Sequence, residues 1–416
     1  MRGLWFLVIL IFIEIYAFKG LRVMSIGMEP VWRRTISILY WMTTLITYGG
    51  FFYLFFKVRA DGLHSVRAYS WFNIVVGVAL LFITTKLVFS AFHLFNDIIN
   101  WVKILHSKLT APPVSEVHEG MTRVQFFNQV GLGLAAAWAG TMIYGMTKGK
   151  FSYRVLSEKL RFADLPKSFD GMRIVQISDM HLGSFNQDFE DVQKGFDLIN
   201  SLDADYIFFT GDMVNNFSDE AEPWVERLKG LKARHGKFSI LGNHDYGDYA
   251  MRDNPVAKGK SLQRLTEIHA EAGFKLMRNE HVYLERDGER IALLGCENWG
   301  IGFQQYGDLN KTLIATNQED FKILLSHDPT HWQEKVLGKE NIALTLSGHT
   351  HGAQMGLELP QFGIKFSPVS LRYKRWGGLY TENNQHLYIN RGFGYIGFPG
   401  RVGMAPEITL IELNRA

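Results

Sequence analysis

Five short polar clusters stand directly after apolar runs in this 416-residue chain. They read Asp179-Met180-His181, Gly211-Asp212, Gly242-Asn243-His244-Asp245, Ser326-His327-Asp328 and Gly348-His349-Thr350-His351. Together they offer four Asp, one Asn and five His, oxygen and nitrogen donors that suit hard to borderline divalent metals. The set is large enough to hold two such ions side by side, and a pair about 3.5–4 Å apart is a device for hydrolysing phosphate esters. Asp-x-His and His-x-His each put two side chains on one face of an extended segment. Asp212 can bridge two metals with its two carboxylate oxygens. Gly211, Gly242 and Gly348 suit sharp turns and close backbone approach at such a site.

The clusters need strand ends to converge. Beyond residue 150 the pattern alternates between short β-branched or aromatic runs and amphipathic helices. Strands are predicted at 173–178, 206–210, 238–241, 322–325, 343–346, 387–390 and 407–413. A β-hairpin is predicted from His281–Arg286 and Arg290–Leu294 around Asp287-Gly288-Glu289. Helices are predicted at 188–202, 219–232 and 261–272. This reads as a layered sheet with helices packed outside it, and in such folds ligands gather beyond the carboxyl ends of strands.

The first 150 residues read differently. They hold 14 Lys+Arg and 6 Asp+Glu, whereas residues 151–416 hold 30 and 35. The basic half is also the apolar half, so its charge reads as membrane flanks and not as a nucleic-acid footprint. Four spans are expected, at 4–18, 36–56, 71–95 and 130–146, the first as an uncleaved anchor. Glu14 and Lys86 are costly in lipid, and either pair with each other or sit near the interface. Basic flanks leave the orientation open. The run Thr122–Phe127 ahead of Val130 resembles a twin-arginine export signal lacking one arginine, which favours an extracytoplasmic catalytic domain. The lone Cys296 excludes an internal disulfide or a thiolate zinc cluster, and its apolar context reads as a buried strand thiol.

The ordered motifs Asp-x-His, Gly-Asp, Gly-Asn-His, a lone His and Gly-His-x-His resemble those of the calcineurin-like metallophosphoesterases, over about residues 170–412. The tail Tyr388-Ile389-Asn390-Arg391-Gly392-Phe393-Gly394 with Arg401 and Pro406-Glu407-Ile408 resembles the membrane-associated branch, which includes phosphodiesterases and UDP-diacylglucosamine hydrolases. Residues 1–150 are thus expected to form a helical membrane domain and 151–416 an α/β domain, for which the resemblance implies a β-sandwich flanked by helices. It implies that Asp179, His181 and His351 hold one metal, that Asn243, His327 and His349 hold the second, and that Asp212 bridges them. It further implies that His244 faces the phosphate and assists the leaving oxygen, with Asp245 orienting His244. Mn²⁺ is the expected ion, with Fe and Zn²⁺ compatible. A hydroxide held between the ions is the implied nucleophile.

The expected function is hydrolysis of a phosphodiester or pyrophosphate bond in a lipid-linked or envelope substrate, at a bacterial inner membrane. The partners are then a phosphate ester and the bilayer; no nucleic acid is expected and no protein partner can be named. A soluble nucleotide or phosphomonoester substrate is the alternative. A non-catalytic metal-binding scaffold is the rival from another class, and it would be expected to have lost ligands. His235, His269, His281, His331 and His386 match no motif and read as structural. Arg391 and Arg401 read either as phosphate ligands or as partners of local carboxylates. Trp299 and Phe303 lie in a loop that either lines the cleft or packs.

Overall fold

A computed structural model describes residues 2–61, 66–109, 123–185 and 189–416. The chain forms two units, Met1–Asp61 with Ile74–Tyr144, and Gly62–Asn73 with Gly145–Ala416.

The first unit is built from long helices: α1 Arg2–Met24, α2 Pro30–Asp61, α3 Val66–Leu109 and α4 Arg123–Thr147. Among the described residues three helices are long and apolar enough to cross a bilayer, over Pro30–Val58, Ser70–His106 and Arg123–Thr147. The first expected span lies within α1, and part of it falls outside the residues whose side chains are described. Thr122 of the export-signal-like run also lies outside. The unit is apolar outside and polar within. Ile11, Phe12, Leu45, Ile46 and Leu105 are exposed, whereas Glu14, Thr44, His93, Asn96 and Asn128 are buried. Lys86 Nζ donates to both Glu14 oxygens at 2.9 and 2.8 Å, so these two charges pair. Tyr48 and Thr44 hydroxyls each donate to Glu14 at 2.8 Å, filling the remaining lone pairs of a carboxylate that has no water to turn to.

The second unit holds fourteen strands: β1 Arg154–Phe162, β2 Met172–Ile177, β3 Tyr206–Phe209, β4 Gly236–Ser239, β5 Phe274–Leu276, β6 Glu280–Arg286, β7 Glu289–Gly295, β8 Lys322–Leu325, β9 Leu344–Ser347, β10 Leu357–Leu359, β11 Ile364–Phe366, β12 Gly378–Glu382, β13 Gln385–Ile389 and β14 Glu407–Arg415. Two six-stranded sheets run in the orders β1-β14-β2-β3-β4-β5 and β12-β13-β9-β8-β7-β6. Strand alternation divides their apolar residues between two faces. Met172, Ile174, Phe208, Leu293, Ile323, Leu344 and Ile411 fill the space between the sheets. Val175, Ile177, Ile207 and Phe209 face outward, under Val192, Phe196 and Ile199 of α5 (Phe189–Ser201) and Leu265 and Ile268 of α7 (Pro255–Glu271); between these helices lies the short α6 (Val225–Lys229). On the other sheet Ala292, Leu294 and Leu324 pack with Trp332 and Val336. Both sheets are thus covered on both faces, so their central strands are largely buried; β3 is apolar throughout, while β2 buries Gln176 and β9 buries Thr345 and Ser347. This is the expected helix-flanked β-sandwich.

Several elements differ from expectation. The helix predicted at 219–232 is two 3₁₀ turns, Ser218–Glu220 and Glu222–Trp224, followed by α6. The Glu220 carboxylate folds back to accept the N–H groups of Asn215, Asn216 and Phe217, and Pro223 has no N–H to continue a helix. Strand β4 ends at Ser239, before the predicted Ile240 and Leu241. Strands β1, β5 and β12 and the β10–β11 hairpin were not read from the sequence, nor was the short α8 (Leu309–Leu313). Asp188, the first residue of the helix expected at 188–202, lies outside the described residues.

His269 on α7 is fully buried, with Nδ1 3.0 Å from Ser239 Oγ. Burial pushes its pKa down from 6.5 to about 3. A histidine depressed in this way stabilises the fold above its unfolded pKa, and that contribution disappears as pH falls from about 6.5 towards about 3. In H269Q, whose amide keeps a hydrogen-bonding group but does not titrate, we expect a shallower loss of Tm across this window than in the parent. Parallel acid limbs would show that His269 contributes nothing to it.

Candidate metal centre

The five clusters leave five parallel-paired strands, β2, β3, β4, β8 and β9, at their carboxyl ends. Five donors there adopt the left-handed backbone region that non-glycine residues avoid: Asp179 (φ 52°), His181 (45°), Asp212 (60°), His349 (71°) and His351 (52°). Such strain persists only where the surroundings over-determine it, and it concentrates at functional sites.

The structure brings the predicted residues together in two groups. Asp179, His181 and His351 form one; Asp212, His327 and His349 form the other; within each, the ligand atoms lie within 4.8 Å of one another. The Nε2 atoms of His181 and His351 face each other at 3.1 Å, and His351 Nε2 lies 3.1 Å from Asp179 Oδ1. Asp212 joins the groups through a single oxygen. Its Oδ2 lies 3.0 Å from His327 Nε2 and 3.7 Å from His181 Nε2. Its Oδ1 accepts the His244 N–H at 2.8 Å. The backbone of His244 thus holds Oδ1, and Oδ2 faces one histidine of each group.

Asn243 sits beside the second group. Its Nδ2 donates to the Tyr249 hydroxyl at 2.9 Å, while its buried Oδ1, like His349 Nδ1, has no hydrogen-bond partner. A buried polar atom without a partner costs about 1–3 kcal/mol, a cost that a cation bound to these donors would remove. The residues fit a pair of divalent ions.

The supporting shell fixes which ring nitrogens face inward. His327 Nδ1 donates to the Thr210 carbonyl at 2.7 Å, leaving Nε2 for the centre. His349 Nε2 meets the Tyr373 hydroxyl at 2.8 Å, leaving Nδ1. His244 Nδ1 donates to the Asn215 carbonyl at 2.7 Å, leaving Nε2 free. The expected pairing of Asp245 with His244 is corrected here. Asp245 instead accepts backbone N–H groups from Asp212, Met213, Val214 and Gly242 at 2.8–3.2 Å, so it shapes the turn that carries Asp212. Arg391 pairs with Glu407 and Glu358, and Arg401 is buried on the carbonyls of Gly394, Arg391 and Gly392. Neither arginine is available to a phosphate. Phe303 packs edge-on against His349, whereas Trp299 lies against His331. Tyr249, Tyr373 and Asn215 were not found from the sequence, since nothing in their neighbourhood repeats a motif. A cavity of about 510 Å³ opens beside Asn243, lined by Tyr249, Arg252, Asn298, Phe303 and Tyr306.

Burial opposes protonation of His327, yet the Asp212 carboxylate raises its imidazole pKa to about 10, so a cation bound there would take the place of that proton. Burial opposes ionisation of Asp179 and Asp212, yet His351 and His327 hold Asp179, and His327 and His244 hold Asp212, well below the usual carboxylate range. Burial keeps His181, His244 and His349 neutral, the form in which imidazole binds metal. Burial, aided by the charges of Glu297 and Asp308, pushes the Cys296 thiol up to about 12, consistent with an inert strand thiol.

Two comparisons bear on this centre. The family model for calcineurin-like phosphoesterases matches residues 172–353. The chain is 32% identical over 304 residues to the uncharacterized metallophosphoesterase YkuE of Bacillus subtilis, covering 71% of this chain and 98% of that one. The chain belongs to the calcineurin-like metallophosphoesterase family. It is accordingly a metal-dependent phosphohydrolase. A second model, for a probable calcineurin-like phosphoesterase transmembrane domain, matches residues 1–150. The family also includes the UDP-2,3-diacylglucosamine pyrophosphatase LpxG of Chlamydia trachomatis, 30% identical over 305 residues and covering 60% of this chain and 86% of that protein. Among solved structures, TT1561 of Thermus thermophilus overlays with a TM-score of 0.32 at 13% identity, over 56% of this chain and 91% of that one.

Gly348 shows how tightly the family's glycines are held. A Cβ there would lie 1.9 Å from Ser178 Oγ and 2.2 Å from Asp179 Oδ2. G348A is expected to lose about 1–3 kcal/mol of stability through overpacking and to push Asp179 out of place. Thermal denaturation and metal analysis check this; native Tm with native metal content would contradict it.

Proposed function

We propose that this chain is a membrane-anchored binuclear-metal phosphoesterase that cleaves a phosphodiester or pyrophosphate bond of a lipid-linked or envelope substrate, with residues 1–150 as the anchor and 151–416 as the catalytic domain. The observation that carries the reading is the pair of His/carboxylate groups sharing Asp212 Oδ2. In this reading Asp179, His181 and His351 hold one cation and Asn243, His327 and His349 the other. Bound divalent cations supply charge neutralisation at phosphorus and acidification of the attacking water. His244 presents Nε2 to the departing oxygen, because its Nδ1–H is committed to Asn215. Asp245 positions the backbone of residues 212–214. Phe303 and Tyr249 line the approach to phosphorus and exclude water beside the ligands.

Two further observations support a lipid-linked substrate. Helices suited to a bilayer precede the catalytic unit, and one relative is a UDP-2,3-diacylglucosamine pyrophosphatase. The test uses detergent-purified full-length protein, stripped with chelator and reloaded with Mn²⁺, Fe²⁺ or Zn²⁺. Elemental analysis is expected to give two ions per chain, and chelation to abolish turnover. UDP-2,3-diacylglucosamine is expected to be cleaved far faster than soluble nucleotides or p-nitrophenyl phosphate. Preference for the soluble esters would favour the alternative substrate class; two bound ions with no hydrolysis of any ester would leave a scaffold.

A further inference from the structure

The α1–α2 end of the helical unit carries a cavity of about 770 Å³ that the hydrolytic reading does not use. Its walls combine two chemistries. Ile15, Phe18 and Val23 supply an apolar side, and Arg22, Arg33 and Arg34 supply a cationic one. Lys19 also lines it, but its ammonium is engaged by Asp97 at 2.6 Å. The three arginines are exposed and form no ion pair among the described residues. The acid of the connecting loop, Glu29, does not line the cavity. Arg22 lies in the last turn of α1, and Arg33 and Arg34 lie in the first turns of the Pro30–Val58 span. The end turns of a spanning helix are where a bilayer passes from acyl chains to phosphates. Trp32, 60% exposed, stands beside them, as interfacial tryptophans do.

We propose that this cleft binds one anionic phospholipid, with its phosphate on Arg22, Arg33 and Arg34 and an acyl chain along Ile15, Phe18 and Val23. Two features argue for a lipid. Unpaired guanidiniums arranged around one hollow match a phosphate's oxygens in charge and hydrogen-bonding geometry. The apolar wall beside them would be wasted on a free anion. Basic pockets between membrane helices at headgroup level are suited to anionic lipids.

Native mass spectrometry of the full chain, released from micelles doped with equal phosphatidylglycerol and phosphatidylcholine, tests the proposal. The native protein is expected to retain one phosphatidylglycerol in preference to phosphatidylcholine. In the R33Q/R34Q variant the preference is expected to fall by about thirtyfold, the loss of two interfacial cations, with Tm unchanged. Equal retention of the two lipids by the native protein overturns the proposal, whatever the variant's stability. So does an undiminished preference in a folded variant. Displacement of the lipid by an equal concentration of soluble sn-glycerol 3-phosphate would identify a phosphate site without a lipid function, and overturns it too.

Discussion

Replacing Asp212 by Asn is expected to lower phosphodiester turnover by at least about 10³-fold and to leave the folded chain short of metal. Asp212 Oδ2 lies 3.0 Å from His327 Nε2 and 3.7 Å from His181 Nε2, one histidine of each group. An amide in its place keeps the volume and can still accept the His244 N–H, so the turn should survive. What is lost is a negative charge between two cation positions. Elemental analysis should find fewer than two ions per chain, and excess Mn²⁺ should restore only part of the activity. A D212N protein with two tightly held ions and native kcat would refute the shared-oxygen arrangement.

His244→Ala is expected to cost about 10²–10⁴-fold in kcat on an alkyl phosphodiester, the range for loss of a positioned proton donor. The loss should shrink on bis-(p-nitrophenyl) phosphate, whose phenolate departs with little help. His244 is not in either ligand group, so metal content should stay native. This separates it from D212N, where metal and rate fall together. Equal losses on both substrates would point to a role in binding phosphate and not in protonating the leaving oxygen.

The metal centre was legible because its chemistry is written in short, ordered motifs that follow buried strands. Residues 172–177 and 344–347 are largely buried, with Ile174, Val175, Ile177, Leu344 and Leu346 as their apolar members, and the polar clusters begin within two residues of their ends. The residues that aim the ligands were not legible. Tyr373 reaches His349 across 24 positions and Tyr249 reaches Asn243 across six, and neither contact follows from local pattern. Asp245 was misread for a similar reason. Adjacent to His244 in sequence, it turns to the backbone of the neighbouring loop, where four N–H groups outcompete one imidazole. In the fold, the central strands and the β6–β7 hairpin were read, whereas the edge strands β1, β5 and β12 were not. β1 and β12 are half-exposed and mix charge with apolar residues, so their pattern resembles that of surface loops. The helix expected at 219–232 failed at Glu220 and Pro223, where a side chain competing for backbone amides overrode helical periodicity.

Strand β14 has a consequence for biosynthesis. It is inserted between β1 and β2, parallel to the first and antiparallel to the second. Every proposed ligand has been translated once His351 emerges, yet the first sheet still lacks an interior member, and Arg401, whose Nη1 donates to the His351 carbonyl at 3.3 Å, does not yet exist. A ribosome-tethered nascent chain should therefore remain without activity until Glu407–Arg415 clears the exit tunnel, and turnover by a chain arrested before that strand would contradict this.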